Sequence, residues 1–278
     1  MSARGRFLSV LVTIVVALAG FVTFGALPAA AAPSAVQYVP LGDSYAAGQG
    51  APPYLNICLQ TAQSYPELLD DSQSRIDLQE NPTCTGAKTS TVAAMQLPVL
   101  TSDTRLVTVT VGAANLDLSG LLTVCTTQPP AKCREAIDLR VALLPALGSD
   151  LTDLYEDVAE VAPRARVVVT GYPHLFEPVN PLFIAINDAI DHLNSTIEQA
   201  VSVANDADVN IHYVDVTAAF AGHGIGADPQ LLFINPPDPD DPLDPDAFHP
   251  TAAGYQAYAD AISAALPGGW FDKQKQSV

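Results

Sequence analysis

Four short runs rich in valine and other β-branched residues recur along the chain, at Val36–Leu41, Arg105–Val111, Arg166–Thr170 and Val209–Val214. Longer stretches with helical spacing separate or follow them, at Cys133–Val161, Leu182–Asn205 and Thr251–Leu266. A strand that is apolar on both faces cannot leave either face in water, so each side of the sheet needs a covering layer. Alternating helices supply it, and the pattern predicts an α/β fold with a parallel sheet. No internal repeat is evident and no linker is long enough to force a second domain.

In an open parallel sheet, chemistry collects outside the carboxyl ends of the strands. The stretch "VPLGDSYAAGQG" runs out of the first apolar run and places Ser44 just past its end. Gly112 and Gly171 follow the second and third runs in the same way, as ordinary strand-to-helix turn residues also would. Ser44 therefore reads either as a residue of a tight turn or as a nucleophile. A serine hydroxyl needs a base, and "DAFHPTAAGY" near the other end of the chain supplies one. His249 is the natural base, with Asp246 as the group that orients it and Asp244 as the alternative carboxylate. The other histidines lack an acidic residue at comparable turn spacing: His174 in "GYPHLF", His192 in a helical stretch, His212 beside a strand and His223 in a glycine-rich loop, the last of these being the alternative base. Asp43 reads as a turn residue that bonds the backbone. G-x-S-x-G is absent, so the usual α/β-hydrolase elbow is not the reading.

The first residues have a different purpose. Arg4 and Arg6 precede an apolar run from Leu8 to Phe24, and "LPAAAAPSA" offers a small-residue cleavage site. This predicts a secretory signal peptide over 1–32, cut near Ala31 or Ala32, and a mature domain over 33–278. No cysteine sits near that site to carry a lipid, and no later run is long and apolar enough to span a bilayer. The chain carries 12 basic and 30 acidic side chains; without Arg4 and Arg6 the count is 10 against 30, a net charge of −20. Such a balance argues against nucleic acid and against docking on anionic lipid. The densest acidic stretch is "NPPDPDDPLDPD", Asn235 to Asp246, whose prolines exclude helix and central strand. Asp238, Asp240, Asp241 and Asp244 lack the spacing and glycine of an EF-hand, so the stretch reads as a solvated loop.

All four cysteines, Cys58, Cys84, Cys125 and Cys133, follow the leader. In an exported chain they read as two disulfides, for which three connectivities exist. Cys125 and Cys133 bracket the turn-rich "TTQPPAK" and pair economically, which leaves Cys58 for Cys84. No C-x-x-C or Cys/His cluster supports a metal site.

These motifs, taken together, carry a family resemblance. "GDSYAAGQG" resembles the first block of the GDSL, or SGNH, hydrolases, and "DAFHP" resembles their last block, D-x-x-H-P. "SYPELL", "CTGAKTSTV", "GYPHLF" and "FAGHG" resemble intervening segments of secreted actinobacterial lipases and esterases of that family, in the same order. The resemblance implies a three-layer α/β/α sandwich similar to flavodoxin, and the Cys58–Cys84 bridge agrees with it. It implies Ser44 as nucleophile, His249 as general base and acid, and Asp246 as its orienter. It implies an oxyanion hole built from the Ser44 and Gly86 backbone N–H groups and an asparagine side chain. It also implies a secreted, cofactor-independent enzyme acting as a monomer on lipid or other acyl esters.

Two departures from the family pattern stand out. The usual third block is G-x-N-D, whereas this chain reads "VGAANLDLS". Aligned without a gap from Gly112, Ala114 takes the Asn position and Asn115 the Asp position. Either a one-residue shift lets Asn115 reach the hole or the side-chain donor is missing. The loop after "FAGH" also lacks the cysteines of many secreted relatives and is rich in proline instead. Two other functions fit the same residues: a carbohydrate esterase removing acetyl groups, disfavoured by the single Trp270, and a non-catalytic binding protein, disfavoured by the intact Ser44, Asp246 and His249.

Overall fold

The structure is a computed structural model that describes residues 35–205, 210–238, 240–241 and 244–266. The expected leader and Trp270 lie outside the described residues. Five parallel strands form one sheet: β1 Val36–Gly42, β2 Ile76–Leu78, β3 Leu106–Thr110, β4 Arg166–Thr170 and β5 Ile211–Val214, in the order β2-β1-β3-β4-β5. The order reverses between β1 and β3, which opens a crevice at their carboxyl ends. Register is set by the apolar runs, with Leu41 opposite Val109 and Val107 opposite Val167. Every residue of β3 is buried, as expected of a central strand covered on both faces.

The helices are α1 Ser44–Ala47, α2 Tyr65–Ser72, α3 Thr89–Thr91, α4 Leu118–Thr127, α5 Pro130–Val141, α6 Leu144–Val161, α7 Pro181–Asn205 and α8 Ala252–Ala265. They form two groups, α2 packed with α8 and α6 packed with α7, one on each face of the sheet. Tyr65 of α2 stacks on Tyr258 of α8, with ring centroids 5.4 Å apart. Opposite them, Leu147 of α6 and Leu193 and Ile197 of α7 close over Gly112 at the end of β3. This is the three-layer sandwich that the resemblance implied. Asn180 caps α7 by accepting N–H bonds from Leu182 and Phe183 at 2.9 and 3.0 Å, and Thr251 caps α8 through Gly254 N–H at 3.2 Å.

Several elements differ from the reading of the sequence. The Cys133–Val161 stretch is two helices, because Pro145 has no N–H to offer the carbonyl of Val141 and sits at the start of a new helix instead. Strand β2 has three residues, of which Ile76 alone is buried, too short for a pattern to register. Both cysteine pairs are as expected, Cys58–Cys84 and Cys125–Cys133. The second joins α4 to α5, and "TTQPPAK" is mostly helical, with a connection of only Gln128 and Pro129. Among the described residues, no helix is long and apolar enough to cross a membrane.

Candidate active site

Strand β1 delivers the nucleophile. It ends at Gly42, whose φ of +148° and surroundings both demand glycine: a Cβ there would come within 2.2 Å of the Thr110 carbonyl oxygen. The Gly42 peptide is gripped further by Gln96, which accepts its N–H at 2.7 Å and donates to its carbonyl at 2.9 Å. Gln96 ends a π-helical turn, Val92–Gln96, directly after α3. Asp43 then caps α1, accepting the Tyr45 N–H at 3.0 Å, so the turn role expected of it holds. Ser44 is the first residue of α1 and half-buried. Its own N–H has no acceptor among the described residues, as a first-turn amide would not.

His249 reaches Ser44 from the loop before α8. Its Nε2 lies 2.9 Å from Ser44 Oγ, across 205 residues of sequence. The ring's other nitrogen, Nδ1, faces the Ala247 carbonyl oxygen at 3.1 Å. A carbonyl can only accept, so Nδ1 carries the proton and Nε2 is left bare to accept the serine proton. Burial pushes the His249 imidazole down to about 4, against the opposing pull of the Ala247 and Pro245 carbonyls and the Asp244 charge. The ring is therefore neutral at neutral pH, the form a general base requires.

Asp246 does not occupy the place expected of it. Its carboxylate accepts the hydroxyl proton of Tyr54, and that same Tyr54 oxygen accepts the Gly50 N–H at 2.8 Å. Asp246 was expected to orient His249; among the described residues no hydrogen bond joins the two, the Ala247 carbonyl faces the ring instead, and Asp246 ties its loop to the one after α1. Asp244 accepts the Asp246 N–H at 2.9 Å and acts on His249 only through space. More of the same mesh surrounds the base. Tyr45 donates to the Phe248 carbonyl at 2.7 Å, Phe248 N–H reaches the Asn235 carbonyl at 2.8 Å, and Asn235 Nδ2 bonds the carbonyls of Gly50 and His249. Phe248 is held at φ +65°, a left-handed conformation costing a bulky residue about 1–3 kcal/mol. Gly50 must be small, since a Cβ would stand 2.8 Å from that of His249.

The turn carrying Gly86 docks beside the end of β1, where Cys84 N–H bonds the Gly42 carbonyl at 3.2 Å. Gly86 has φ +73°, nothing lies within 4 Å of where its Cβ would be, and its N–H has no acceptor among the described residues. Both expected backbone donors, Ser44 and Gly86, are thus unspent. Asn115 is different. Its Nδ2 donates one hydrogen to Thr89 Oγ1 at 2.9 Å and its Oδ1 accepts the Thr89 N–H at 3.0 Å, so the amide fastens α3 to the third block. Among the described residues, neither amide atom of Asn115 is hydrogen-bonded to Ser44 or Gly86.

Sequence reasoning missed Tyr172 altogether. Its hydroxyl donates to Asp43 Oδ2 at 2.6 Å and accepts the Ala113 N–H at 3.1 Å, joining the first and third blocks. Asn194 of α7 holds the Tyr172 backbone from both sides, accepting its N–H and donating to its carbonyl, each at 2.8 Å. Burial pushes the Asp43 carboxyl up to about 7, despite the hydrogen bonds from Tyr172 and the Tyr45 amide. The tyrosine in "GYPHLF" was the available signal. Among the described residues, no group of His, Cys, Asp and Glu is placed to hold a metal ion.

Comparison with known proteins identifies the family. The model of the GDSL-like lipase/acylhydrolase family matches residues 41–257, from the end of β1 into α8. A lipase of Streptomyces rimosus is 33% identical over 247 residues, covering 83% of this chain and 87% of that protein. The crystal structure of phospholipase A1 from Streptomyces albidoflavus NA297 matches with a TM-score of 0.76 at 32% identity, covering 84% of this chain and 100% of that one. That of an extracellular lipase from Streptomyces rimosus matches with a TM-score of 0.75 at 29% identity and the same coverage. The chain belongs to the GDSL-like lipase/acylhydrolase family and is a carboxylic ester hydrolase.

Proposed function

We propose that this hydrolase is a secreted lipase or esterase that cleaves lipid or other acyl esters with a Ser44–His249 dyad. Neutral His249 takes the Ser44 proton as Oγ attacks the ester carbonyl. The Ser44 and Gly86 N–H groups receive the negative charge that develops on the carbonyl oxygen, an interaction worth about 3–4 kcal/mol per donor in comparable sites. His249 returns the proton to the departing alkoxide, and the acyl group stays on Ser44. Water, activated by the same imidazole, then releases the acid and restores the serine. The imidazolium formed in each step is stabilised by the Ala247 and Pro245 carbonyl dipoles rather than by a carboxylate in contact. The single observation carrying this reading is the 2.9 Å approach of His249 Nε2 to Ser44 Oγ.

Support for secretion comes from the leader read in the sequence, the two disulfides and the extracellular relative. Lipid esters as substrate are supported by the likeness to a lipase and a phospholipase A1 of Streptomyces. The test is a panel of p-nitrophenyl esters of increasing chain length, with a fluorophosphonate probe, on the wild type and Ser44→Ala. Wild type hydrolyses the panel and is labelled; Ser44→Ala does neither. Activity confined to acetyl esters would instead favour the carbohydrate esterase. A wild type that the probe leaves unlabelled would remove Ser44 as nucleophile.

A further inference from the structure

We propose that the loop between Ala51 and Gln60 is an interfacial docking surface, which seats the active-site face on an uncharged or zwitterionic ester aggregate. The proposal deepens the ester-hydrolase reading and rests on it. Ile57 is 95% exposed and Leu55 66% exposed. Isolated aliphatic side chains on a surface need no explanation, but three further observations concern this pair.

The loop is built so that it cannot hide them. Cys58 is bonded to Cys84, Leu55 N–H bonds the Gln60 carbonyl at 2.7 Å, and Asn56 Nδ2 bonds Gln60 Oε1 at 2.7 Å. Gln60 Nε2 in turn donates to the carbonyls of Asn81 and Thr83. A free apolar loop would fold its side chains inward; this one is fastened with Leu55 and Ile57 outward.

The loop also lies beside the reacting groups. The Cys58 carbonyl accepts the Thr85 N–H at 3.1 Å, one residue before Gly86. At its root, Tyr54 reaches both Gly50 and Asp246 of the His249 loop. Whatever receives Ile57 is brought to the oxyanion turn and the base together.

Charge then selects the partner. The chain carries a net −18, yet from Ser44 to Pro66 there is no Asp, Glu, Lys, Arg or His. Without basic side chains the loop has nothing to offer an anionic surface, and the rest of the molecule is repelled by one. A neutral or zwitterionic aggregate meets only the uncharged face and takes the exposed side chains out of water.

The test uses Ser44→Ala full-length mature protein, which binds without turnover, and co-sedimentation with phosphatidylcholine vesicles. Adding Leu55→Ser and Ile57→Ser should lower the partition coefficient at least about tenfold, the effect of withdrawing two partly inserted aliphatic side chains. The same pair in the active enzyme should leave hydrolysis of soluble p-nitrophenyl acetate within about twofold and the melting temperature unmoved, because both sites are at the surface. Equal partition of the two proteins overturns the proposal, as does stronger wild-type binding to phosphatidylglycerol vesicles. A light-scattering change showing that the pair breaks a dimer, with vesicle binding unaltered, also overturns it. Failure of the wild type to hydrolyse soluble esters would strike the ester-hydrolase reading alone, since sedimentation reports binding without chemistry.

Discussion

The two partners of the reacting pair are held in unlike ways. Ser44 stands where the sheet ends, and its position follows from backbone sterics: a glycine that tolerates no Cβ, a paired strand and a side-chain cap. His249 stands on an irregular loop, and hydrogen bonds from Tyr45, Tyr54 and Asn235 position it. The nucleophile is thus fixed by the fold itself, the base by a mesh of individually modest contacts. Damage to the first should be all-or-none and damage to the second graded.

The largest effect expected is from Ser44→Ala, which should lower kcat/KM by at least about 10⁴ with no loss of thermal stability. Retained activity in a probe-negative protein would place the chemistry elsewhere. Gly42→Ala comes next: the Cβ has no room beside the Thr110 carbonyl, so the sheet end must shift, at a cost of about 3 kcal/mol or more. A normal denaturant midpoint for that variant would break the claim that sterics fix the nucleophile.

Asn115→Ala sharpens the comparison from the side of the hole. It should lose about 1–3 kcal/mol of stability, because the Thr89 clasp goes. It should not show the 10²–10³ fall in kcat at constant KM that marks a lost oxyanion donor. Asp246→Asn should be milder still, within about tenfold in kcat, since an amide oxygen still accepts from Tyr54. An orienting carboxylate in a triad would cost about 10⁴ on the same change, and that result would restore Asp246 to His249.

The subtlest effect is pH dependence. The acid limb of kcat/KM should fall near pH 4 rather than near the ordinary histidine value, because burial keeps His249 neutral. For stability, the depressed His249 contributes fully above its unfolded value and is lost as pH falls from about 6.5 through about 4. Asp43, pushed up to about 7, works in the opposite sense: its contribution is complete below its unfolded value of 3.8 and lost as pH rises through about 7. The two offset between roughly pH 4 and 6.5. His249→Ala should therefore leave a protein whose stability declines with pH across that range, measured by denaturant melts. A flat profile would show that Asp43 does not titrate there.

Much of this was legible in the sequence because the relevant signals are periodic or chemical. Valine runs marked four of the five strands, and a serine at a strand end with D-x-x-H far downstream marked the reacting pair. The orienting group of His249 was not legible, since a main-chain carbonyl such as that of Ala247 has no residue identity to read. A carboxylate three residues away drew the assignment by its chemistry, when its actual neighbour was a tyrosine in a distant loop. Strand β2 escaped because a single buried isoleucine makes no pattern. The break between α5 and α6 escaped because the apolar spacing runs on through it. For Asn115 the sequence offered two alternatives, because a one-residue offset at a strand end redirects the side chain.

The sequence separation of 205 between Ser44 and His249 also makes the chain latent while it is being made. Strand β1 and the nucleophile emerge early, but the base, the loop that orients it and α8 are all at the far end. A chain cut before Asp244 has a serine with no base and an incomplete cover over the sheet, so it cannot hydrolyse an ester by this route. Reactivity is acquired only when α8 and the loop before it close on the sheet, which makes their docking the step that arms the enzyme.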